Sequence, residues 1–197
     1  MHIYLKGFQN LLQLEKSLST NSISNYLRDV KKLVSYLRDN AIEKGPEDLT
    51  LSDFRDFIAF VNELGLRASS QARIISGLKT FYKYLLIEKI IESDPTELLE
   101  APRISRKLPD TLNIVEIEKM FESIDRSKAE GERNRCILEV LYGCGLRVSE
   151  LINMKISNIY FRDGFIRILG KGRKERLVPL GEIAARHIKI YMEEVRV

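Results

Sequence analysis

The sequence predicts a mainly α-helical chain, in which an N-terminal helical bundle is followed by an α+β domain with a three-stranded antiparallel sheet. Between residues 4 and 88, apolar residues recur every three or four positions, which indicates amphipathic helices. Between residues 156 and 180, three short apolar stretches are separated by glycine-containing turns, as in strands joined by hairpins. The 197 residues, 44% hydrophobic and 30% charged, suffice for one or two domains with cores of their own.

The first three helices of the bundle are predicted from their apolar spacing and from the breaks between them. Two helices lie within residues 4–39, with a polar break at residues 17–21. Gly45 and Pro46 then interrupt the pattern. Thr50 and Asp53 have the spacing of a capping box, so a third helix begins there, and Gly65 ends it.

A fourth helix is predicted over residues 69–88, and its two faces differ sharply. One face is apolar and carries Ile74, Leu78, Phe81, Tyr82 and Leu85. The opposite face carries hydroxyl and basic side chains, namely Ser69, Arg73, Ser76, Lys79, Thr80 and Lys83. Because there is no acidic residue between positions 66 and 87, this face suits the major groove of DNA, where cations meet phosphates or guanine edges. The alternative is the solvated face of an ordinary amphipathic helix.

Residues 102–109 are predicted to be an extended linker between a domain of residues 1–101 and a domain of residues 110–197. Pro102 and Pro109 flank three basic residues, Arg103, Arg106 and Lys107, with no acidic residue among them. Such a segment suits a crossing of the DNA backbone. A plain solvated linker is the alternative.

The second domain is predicted to begin with helices. Asn113 and Glu116 have the spacing of a helix cap. A helix over residues 132–142 is expected to bury a stripe of Ile137, Leu138, Leu141 and Tyr142. Gly143 and Gly145 are expected to end it, so that Arg147 emerges from a turn. A short helix over residues 149–154 then places Glu150 one turn from Arg147.

Three strands complete the prediction, over residues 156–161, 165–169 and 175–180. The first two are joined by residues 162–164, a hairpin signal that ends in Gly164. The second and third are joined by a basic turn that contains Lys171 between two glycines. A lysine here is also explained by the need to keep a sheet edge soluble. A final helix follows Gly181.

Charge is distributed unevenly along the chain. Residues 1–101 carry 13 Lys and Arg against 14 Asp and Glu, whereas residues 102–197 carry 19 against 14. The net charge of +4 is a weak indication of a polyanionic partner. Since the N-terminal part cannot bind DNA through bulk charge, its basic residues would have to share one face.

Several other kinds of site are disfavoured by the sequence. Cys136 and Cys144 form neither a metal-ligand nor a disulfide pattern and suit a reducing cytoplasm. The chain has no run of 18 apolar residues and no signal-peptide pattern, which argues against a membrane. His2 and His187 are too few and too far apart for a metal site. The glycines around Lys171 lack the rest of a nucleotide-binding P-loop.

Two motifs within residues 143–180 resemble the tyrosine recombinases, in particular their Xer branch and the related integrases. They are GLRVSEL at residues 145–151 and GKGRKERLVPL at residues 170–180. The resemblance extends to the order of the upstream elements. It implies a SAM-like core-binding domain followed by the first part of a catalytic domain, together forming a C-shaped clamp on DNA. It also implies that Arg147 is the first catalytic arginine, that Glu150 supports the site and that Lys171 is the general acid. Arg173 and Lys174, in the same turn, are expected to contact DNA.

The function that this resemblance implies is site-specific DNA recombination, as integration, excision or chromosome-dimer resolution, through a 3′-phosphotyrosyl intermediate. No metal or nucleotide cofactor is expected, because the bond energy is kept in the phosphotyrosine. The expected partners are double-stranded DNA and further protomers in a synaptic tetramer, with no membrane and a cytoplasmic location. One alternative is a non-catalytic DNA-binding module, in which Arg147 and Lys171 only grip phosphate. Another is a type IB topoisomerase, which the two motifs resemble less.

Three parts of the family pattern are not found in this sequence. The family carries a His-x-x-Arg motif, then a His or Trp, and then a nucleophilic tyrosine. His187 is followed by Ile188, Lys189 and Ile190, and Tyr191 has no such motif before it. The expectation is therefore an N-terminal piece of a longer recombinase, which binds DNA but does not cleave it.

Overall fold

The structure is a computed structural model, and it describes residues 1–105, 108–170 and 174–196, apart from the side chain of His2. The chain divides into two compact units, Met1–Lys107 and Leu108–Val197. The first is helical, and the second combines helices with a small sheet, which confirms the predicted fold class. Within the described residues, no helix is long and apolar enough to cross a membrane.

Within its described residues, the first unit is a bundle of four α-helices. They are α1 (Leu5–Asn10), which continues as a π-helical turn over Leu11–Glu15, α2 (Thr20–Asp39), α3 (Leu51–Glu63) and α4 (Ala68–Ile87). The predicted cap of α3 is confirmed, since the carboxylate of Asp53 accepts hydrogen bonds from the backbone N–H and the hydroxyl of Thr50. The left-handed Gly65 (φ 74°) follows α3, as its position predicts.

Aromatic side chains form the centre of this bundle. The ring centroids of Phe8 and Phe81 lie 5.1 Å apart, and those of Phe54 and Tyr82 lie 5.0 Å apart, both edge to face. All five residues of the predicted apolar face of α4 are buried. Burying one such side chain stabilises a fold by about 1.5–3 kcal/mol, so this face firmly fixes the orientation of α4 in the bundle.

Within its described residues, the second unit packs two of its helices against a three-stranded sheet. Its elements are α5 (Ile114–Glu122), α6 (Ala129–Cys144), α7 (Val148–Ile152), β1 (Ile159–Tyr160), β2 (Phe165–Leu169), β3 (Glu175–Pro179) and α8 (Glu182–Ile190), followed by a π-helical turn, Tyr191–Val195. The strands are antiparallel in the order β1-β2-β3. Ile166, Ile168 and Val178 face the core, where they meet side chains of α6 and α8. The predicted cap of α5 is confirmed by two hydrogen bonds between Asn113 and Glu116.

The structure corrects two predictions in this unit. The residues 137, 138, 141 and 142 do not form the buried stripe of α6, and Tyr142 is 57% exposed. Instead Cys136, Val140 and Cys144 face the sheet, at a spacing of four residues. The first predicted strand is also shorter, because Ile156–Asn158 form a 3₁₀ turn before β1. Around α6 apolar residues lie on more than one face, so periodicity alone does not identify the buried one.

Candidate active site and nucleic-acid interface

Arg147 lies at the start of α7, two residues after the glycine that caps α6. Gly143 still belongs to α6, whereas Gly145 caps it in a left-handed conformation (φ 57°) that glycine adopts without strain. Leu146 is buried and fixes the turn, and Arg147 then serves as the N-cap residue of α7. The Arg147 side chain is 70% exposed, so its guanidinium is available to a ligand.

Glu150 is the buried anion of this site, with a side chain only 5% exposed. Its carboxylate accepts hydrogen bonds from the backbone N–H of Arg147 (2.9 Å) and from the Nη1 of Arg147 (2.9 Å). Arg176 donates two more, from Nη1 to Oε1 (2.6 Å) and from Nη2 to Oε2 (2.8 Å). The bonds from Arg176, followed by the backbone bond at Arg147, hold the pKa of Glu150 well below its usual range, so this carboxylate is ionised at neutral pH. The expected proximity of Glu150 to Arg147 is confirmed.

Arg176 was not among the predicted site residues. It lies on β3 opposite Ile168 of β2, and directly opposed residues of a sheet point to the same face. That face is the inner one, which also carries the buried Val178. A basic residue in an inward position of a strand requires an anionic partner, and this alternation is the signal that could have revealed Arg176 in advance.

The base of the β2–β3 turn lies beside the Glu150–Arg176 pair. The backbone N–H of Gly170 donates to the carbonyl of Lys174 (2.8 Å). A Cβ atom on Gly170 would lie 3.3 Å from Nη1 of Arg176 and 3.7 Å from Oε1 of Glu150, so a glycine permits this close approach. Lys174 is exposed. Lys171 and Arg173 lie outside the described residues, and their predicted roles stay predictions.

The predicted DNA-facing side of α4 is partly engaged within the protein. Ser69, Ser76 and Lys83 are exposed. The Nζ of Lys79 donates to the carbonyl of Glu97 (3.0 Å), and the hydroxyl of Thr80 donates to the carbonyl of Ser76 (2.8 Å). A shallow groove of about 310 Å³ runs along this side, lined by Lys16, Ser76, Lys79, Thr80, Lys83 and Leu99. The groove and its three lysines form a basic surface, while the role of each residue in DNA binding stays a prediction.

Arg73, from the same side of α4, pairs with a buried aspartate of α2. Its Nη1 donates to Oδ2 of Asp29 (2.5 Å), and the Asp29 side chain is only 2% exposed. Burial raises the pKa of Asp29 above its ordinary value, although Arg73, Lys32 and Arg28 act in the opposite direction. Arg28 and Lys32 were not predicted, yet their spacing of four residues on α2 places them on one helix face. Arg28, Lys32 and Arg73 thus surround one carboxylate, which extends the basic surface from α4 to α2.

Of the three basic residues in the predicted linker, one lies within the described residues. Arg103 is exposed, whereas Arg106 and Lys107 lie outside the described residues. The assignment of residues 102–109 as a linker stays a prediction. No group of three or more His, Cys, Asp or Glu side chains in the described part of the chain could hold a metal ion.

Two family profiles match most of the chain. Residues 5–89 match the "Phage integrase, N-terminal SAM-like domain", and residues 111–196 match the "Phage integrase family". The first match covers the helical bundle, and the second covers the unit that contains Arg147, Glu150 and Arg176.

Curated relatives and solved structures agree with these profiles. The chain is 38% identical over 196 residues to the tyrosine recombinase XerD of Staphylococcus epidermidis, and 37% identical to XerD of Staphylococcus aureus. It spans 66% of the length of each of these relatives, and the alignments cover 100% of this chain. The chain is also similar to a lambda integrase(75–356) in a crystal structure of its dimer bound to a COC′ core site. The match covers 98% of this chain and 67% of the integrase chain, with a TM-score of 0.75 and 20% identity. This similarity shows that the two chains share a fold. A XerH site-specific recombinase bound to a palindromic difH substrate matches 87% of this chain and 51% of its own, with a TM-score of 0.65 and 26% identity.

Proposed function

Because the chain belongs to the phage integrase family, we propose that it acts in site-specific recombination of double-stranded DNA, by the tyrosine recombinase reaction. The observation that carries the proposal is the exposed guanidinium of Arg147, held from behind by the buried carboxylate of Glu150. A planar guanidinium with free N–H donors binds two oxygens of one phosphate, which is the group that such a reaction attacks. Solved structures of the same fold that contain DNA support double-stranded DNA as the substrate.

In the proposed reaction the nucleophile is a tyrosine that we do not assign to any residue of this sequence. Its hydroxyl releases a proton to water and its oxygen attacks a backbone phosphate, so a bond forms between that oxygen and phosphorus and the bond from phosphorus to the 5′-oxygen breaks. Arg147 binds the non-bridging oxygens and stabilises the negative charge that develops on them. Lys171 donates a proton to the departing 5′-oxygen. The freed 5′-hydroxyl of a second duplex then attacks the 3′-phosphotyrosyl link, which restores the tyrosine and requires no cofactor. This exchange needs several protomers on two duplexes, so we propose assembly into a synaptic tetramer.

In this proposal Glu150 holds the guanidinium of Arg147 in an orientation that can bind phosphate. A buried carboxylate that stays ionised fixes one side of the guanidinium, so less side-chain entropy is lost when phosphate binds the other side. The negative charge of Glu150 is itself balanced by Arg176, which leaves the positive charge of Arg147 for the phosphate.

DNA binding is proposed to use the basic surface of α4 and α2 in the first unit, together with the Arg147 site in the second. α4 presents Ser69, Ser76 and Lys83 without an acidic neighbour on that face, and Arg73 joins them while it is paired with Asp29. Arg103, Arg106 and Lys107 are proposed to contact phosphates rather than bases. The proposed location is the cytoplasm.

The test is a gel assay on a labelled duplex that carries a nick near the presumed cleavage site, which traps any covalent adduct. The 197-residue chain is expected to shift the duplex on a native gel. It should give no covalent band on a denaturing gel, because its sequence contains no tyrosine that we assign as the nucleophile. Arg147→Ala should weaken the shift, and absence of any shift with the unmodified chain would contradict DNA binding.

A covalent band is the informative alternative outcome of the same gel. Tyr191 is half-buried in the last helical turn and is the tyrosine nearest in sequence to the Arg147 and Lys171 motifs on their C-terminal side. If such a band formed with the unmodified chain and disappeared in Tyr191→Phe, Tyr191 would be the nucleophile and our assignment of the active site would be wrong.

A further inference from the structure

We propose that Arg176 is a positioning residue, which holds Glu150 in place and through it presents Arg147 to the scissile phosphate. The inference rests on the proposed function, since it assigns a role within the same site. Glu150 stands between the two arginines and accepts hydrogen bonds from both. The two arginines nevertheless differ in exposure, in geometry and in the element that carries them.

Arg176 makes the stronger attachment to Glu150. Its guanidinium forms two parallel bonds of 2.6 and 2.8 Å, one to each carboxylate oxygen, which is the bidentate geometry that arginine favours. The Arg147 side chain forms a single bond of 2.9 Å to the same carboxylate. Arginine has five N–H donors, so Arg147 keeps most of them for a ligand, and its side chain is 70% exposed against 37% for Arg176.

Burial explains why Glu150 needs Arg176. A carboxylate that is 5% exposed has lost nearly all of its water, and its charge must be balanced by cations in contact with it. With Arg176 present, one full positive charge neutralises Glu150 from the sheet side. Without Arg176, Arg147 would be the remaining cation bonded to the carboxylate, and its guanidinium would turn toward Glu150 and away from the phosphate.

The same pair joins two parts of the second unit. Arg176 belongs to β3, whereas Glu150 belongs to α7, so their bond holds the helix that begins at Arg147 against the β2–β3 hairpin. Gly170, at the end of that hairpin, approaches both partners closely enough that a Cβ atom would lie 3.3 Å from Arg176. Position 176 thus influences where the N-terminus of α7 lies relative to the hairpin.

The experiment measures binding to individual phosphates. A duplex is first selected from a random-sequence pool by binding to the 197-residue chain. Single phosphates in it are then replaced, one at a time, by uncharged methylphosphonates. Each replacement at a phosphate that the protein binds should weaken affinity by about 10-fold, as expected when one charge-assisted hydrogen bond is removed. The phosphate at which Arg147→Ala abolishes this sensitivity is the phosphate that Arg147 binds.

Arg176→Lys and Arg176→Gln are then measured at every phosphate. If Arg176 positions Arg147, both variants lose sensitivity at the Arg147 phosphate and keep it at the others. Lysine at position 176 should not restore the sensitivity at the Arg147 phosphate, because it keeps the charge but cannot form the bidentate pair with Glu150. Arg167→Gln is the matched control: Arg167 lies on β2 with an exposed side chain that bonds Asn158, and this variant should leave the whole profile unchanged.

Three other outcomes would overturn the inference. Unchanged sensitivity at the Arg147 phosphate in Arg176→Lys excludes a positioning role. Loss of sensitivity at a different phosphate shows that Arg176 binds DNA directly, and uniform loss at all phosphates shows a merely structural role. If Arg176→Gln does not fold, Arg176→Lys decides alone, with circular dichroism to confirm its fold. A chain that binds no duplex at all contradicts the proposed function itself, and so removes the basis of the inference, whereas the three outcomes above leave DNA binding intact.

Discussion

Arg73 of α4 donates a hydrogen bond of 2.5 Å to the buried carboxylate of Asp29 on α2, across 44 residues of sequence. The pair lies where the two helices approach closely, since a Cβ atom on Gly77 would lie 2.9 Å from the Cβ of Asp29. Arg73 therefore has a structural role in addition to its proposed role in DNA binding, and the two roles can be separated by mutation.

Arg73→Ala is expected to lower the free energy of unfolding by about 1–3 kcal/mol, because it leaves the buried carboxylate of Asp29 without the cation that hydrogen-bonds to it. The loss should be smaller than for a fully buried pair, since the Arg73 side chain is 42% exposed. The same variant should weaken binding to the selected duplex by roughly 1–3 kcal/mol if Arg73 reaches a base edge. Urea denaturation and fluorescence anisotropy measure the two effects.

The double variant Asp29→Ala/Arg73→Ala separates stability from binding. Removing both partners leaves no unpaired buried charge, so most of the lost stability should return while the DNA affinity stays low. Lys83→Ala is the control on the exposed side of α4 and should leave stability unchanged. Recovery of DNA affinity in the double variant would show that Arg73 acts only through the fold.

Glu150 is expected to make stability depend on pH below 4.5. Its hydrogen bonds from Arg176 and from Arg147 lower its pKa in the folded state relative to an ordinary glutamate, 4.5. The unfolded chain therefore binds the proton first as pH falls, and the stability that Glu150 contributes is present above pH 4.5 and is lost below it. In urea denaturation between pH 3 and 7, Glu150→Gln should show a smaller decline below pH 4.5 than the unmodified chain.

The control for Glu150 is Glu118→Gln, an exposed glutamate of α5. This variant should retain the full decline of the unmodified chain below pH 4.5. Parallel stability curves for Glu150→Gln and the unmodified chain would mean that the carboxylate is not held by the two arginines in solution.

His187 of α8 is expected to act in a different pH window. Burial lowers its pKa below 6.5, with Glu139 opposing this effect and Arg135 and Arg126 reinforcing it. The Nε2 of His187 lies 3.9 Å from Oε1 of Glu139. Since the folded state favours the neutral imidazole, the unfolded chain binds more protons below pH 6.5, and stability falls as the pH decreases through that value.

His187→Gln, which carries no titratable group, should lose less stability between pH 7 and 5.5 than the unmodified chain. The measurement is chemical denaturation at these two pH values, where most carboxylates stay ionised. His2→Gln removes the other histidine of the sequence and should follow the unmodified chain. An equal loss in His187→Gln would rule out His187 as the cause.

The basic segment after the helical bundle is expected to bind phosphates without sequence preference. Replacing Arg103, Arg106 and Lys107 together with alanine should lower affinity equally on the selected duplex and on unrelated duplexes. It should also make the plot of log affinity against log salt shallower, by about 0.9 for each phosphate that the variant no longer binds. A weaker affinity confined to the selected duplex would indicate that these residues bind bases instead.

Local signals in the sequence were sufficient to predict the order of the elements and the proximity of Glu150 to Arg147. Capping residues and apolar spacing are signals of this kind, and they correctly predicted the cap of α3 at Thr50, the cap of α5 at Asn113 and the apolar face of α4. The proximity of Glu150 to Arg147 was predictable for the same reason, because three residues on a helical turn span a short distance.

Long-range packing, in contrast, determines which side chains join the candidate site and which form ion pairs between the helices of the fold. The bond between Glu150 and Arg176 spans 26 residues, and that between Asp29 and Arg73 spans 44. Such pairs depend on how α7 packs against the sheet and α2 against α4, which no local pattern specifies. The buried side of α6 was mispredicted for the same reason. Apolar residues occur around that helix, and the sheet and α8 determine that Cys136, Val140 and Cys144 are the ones buried.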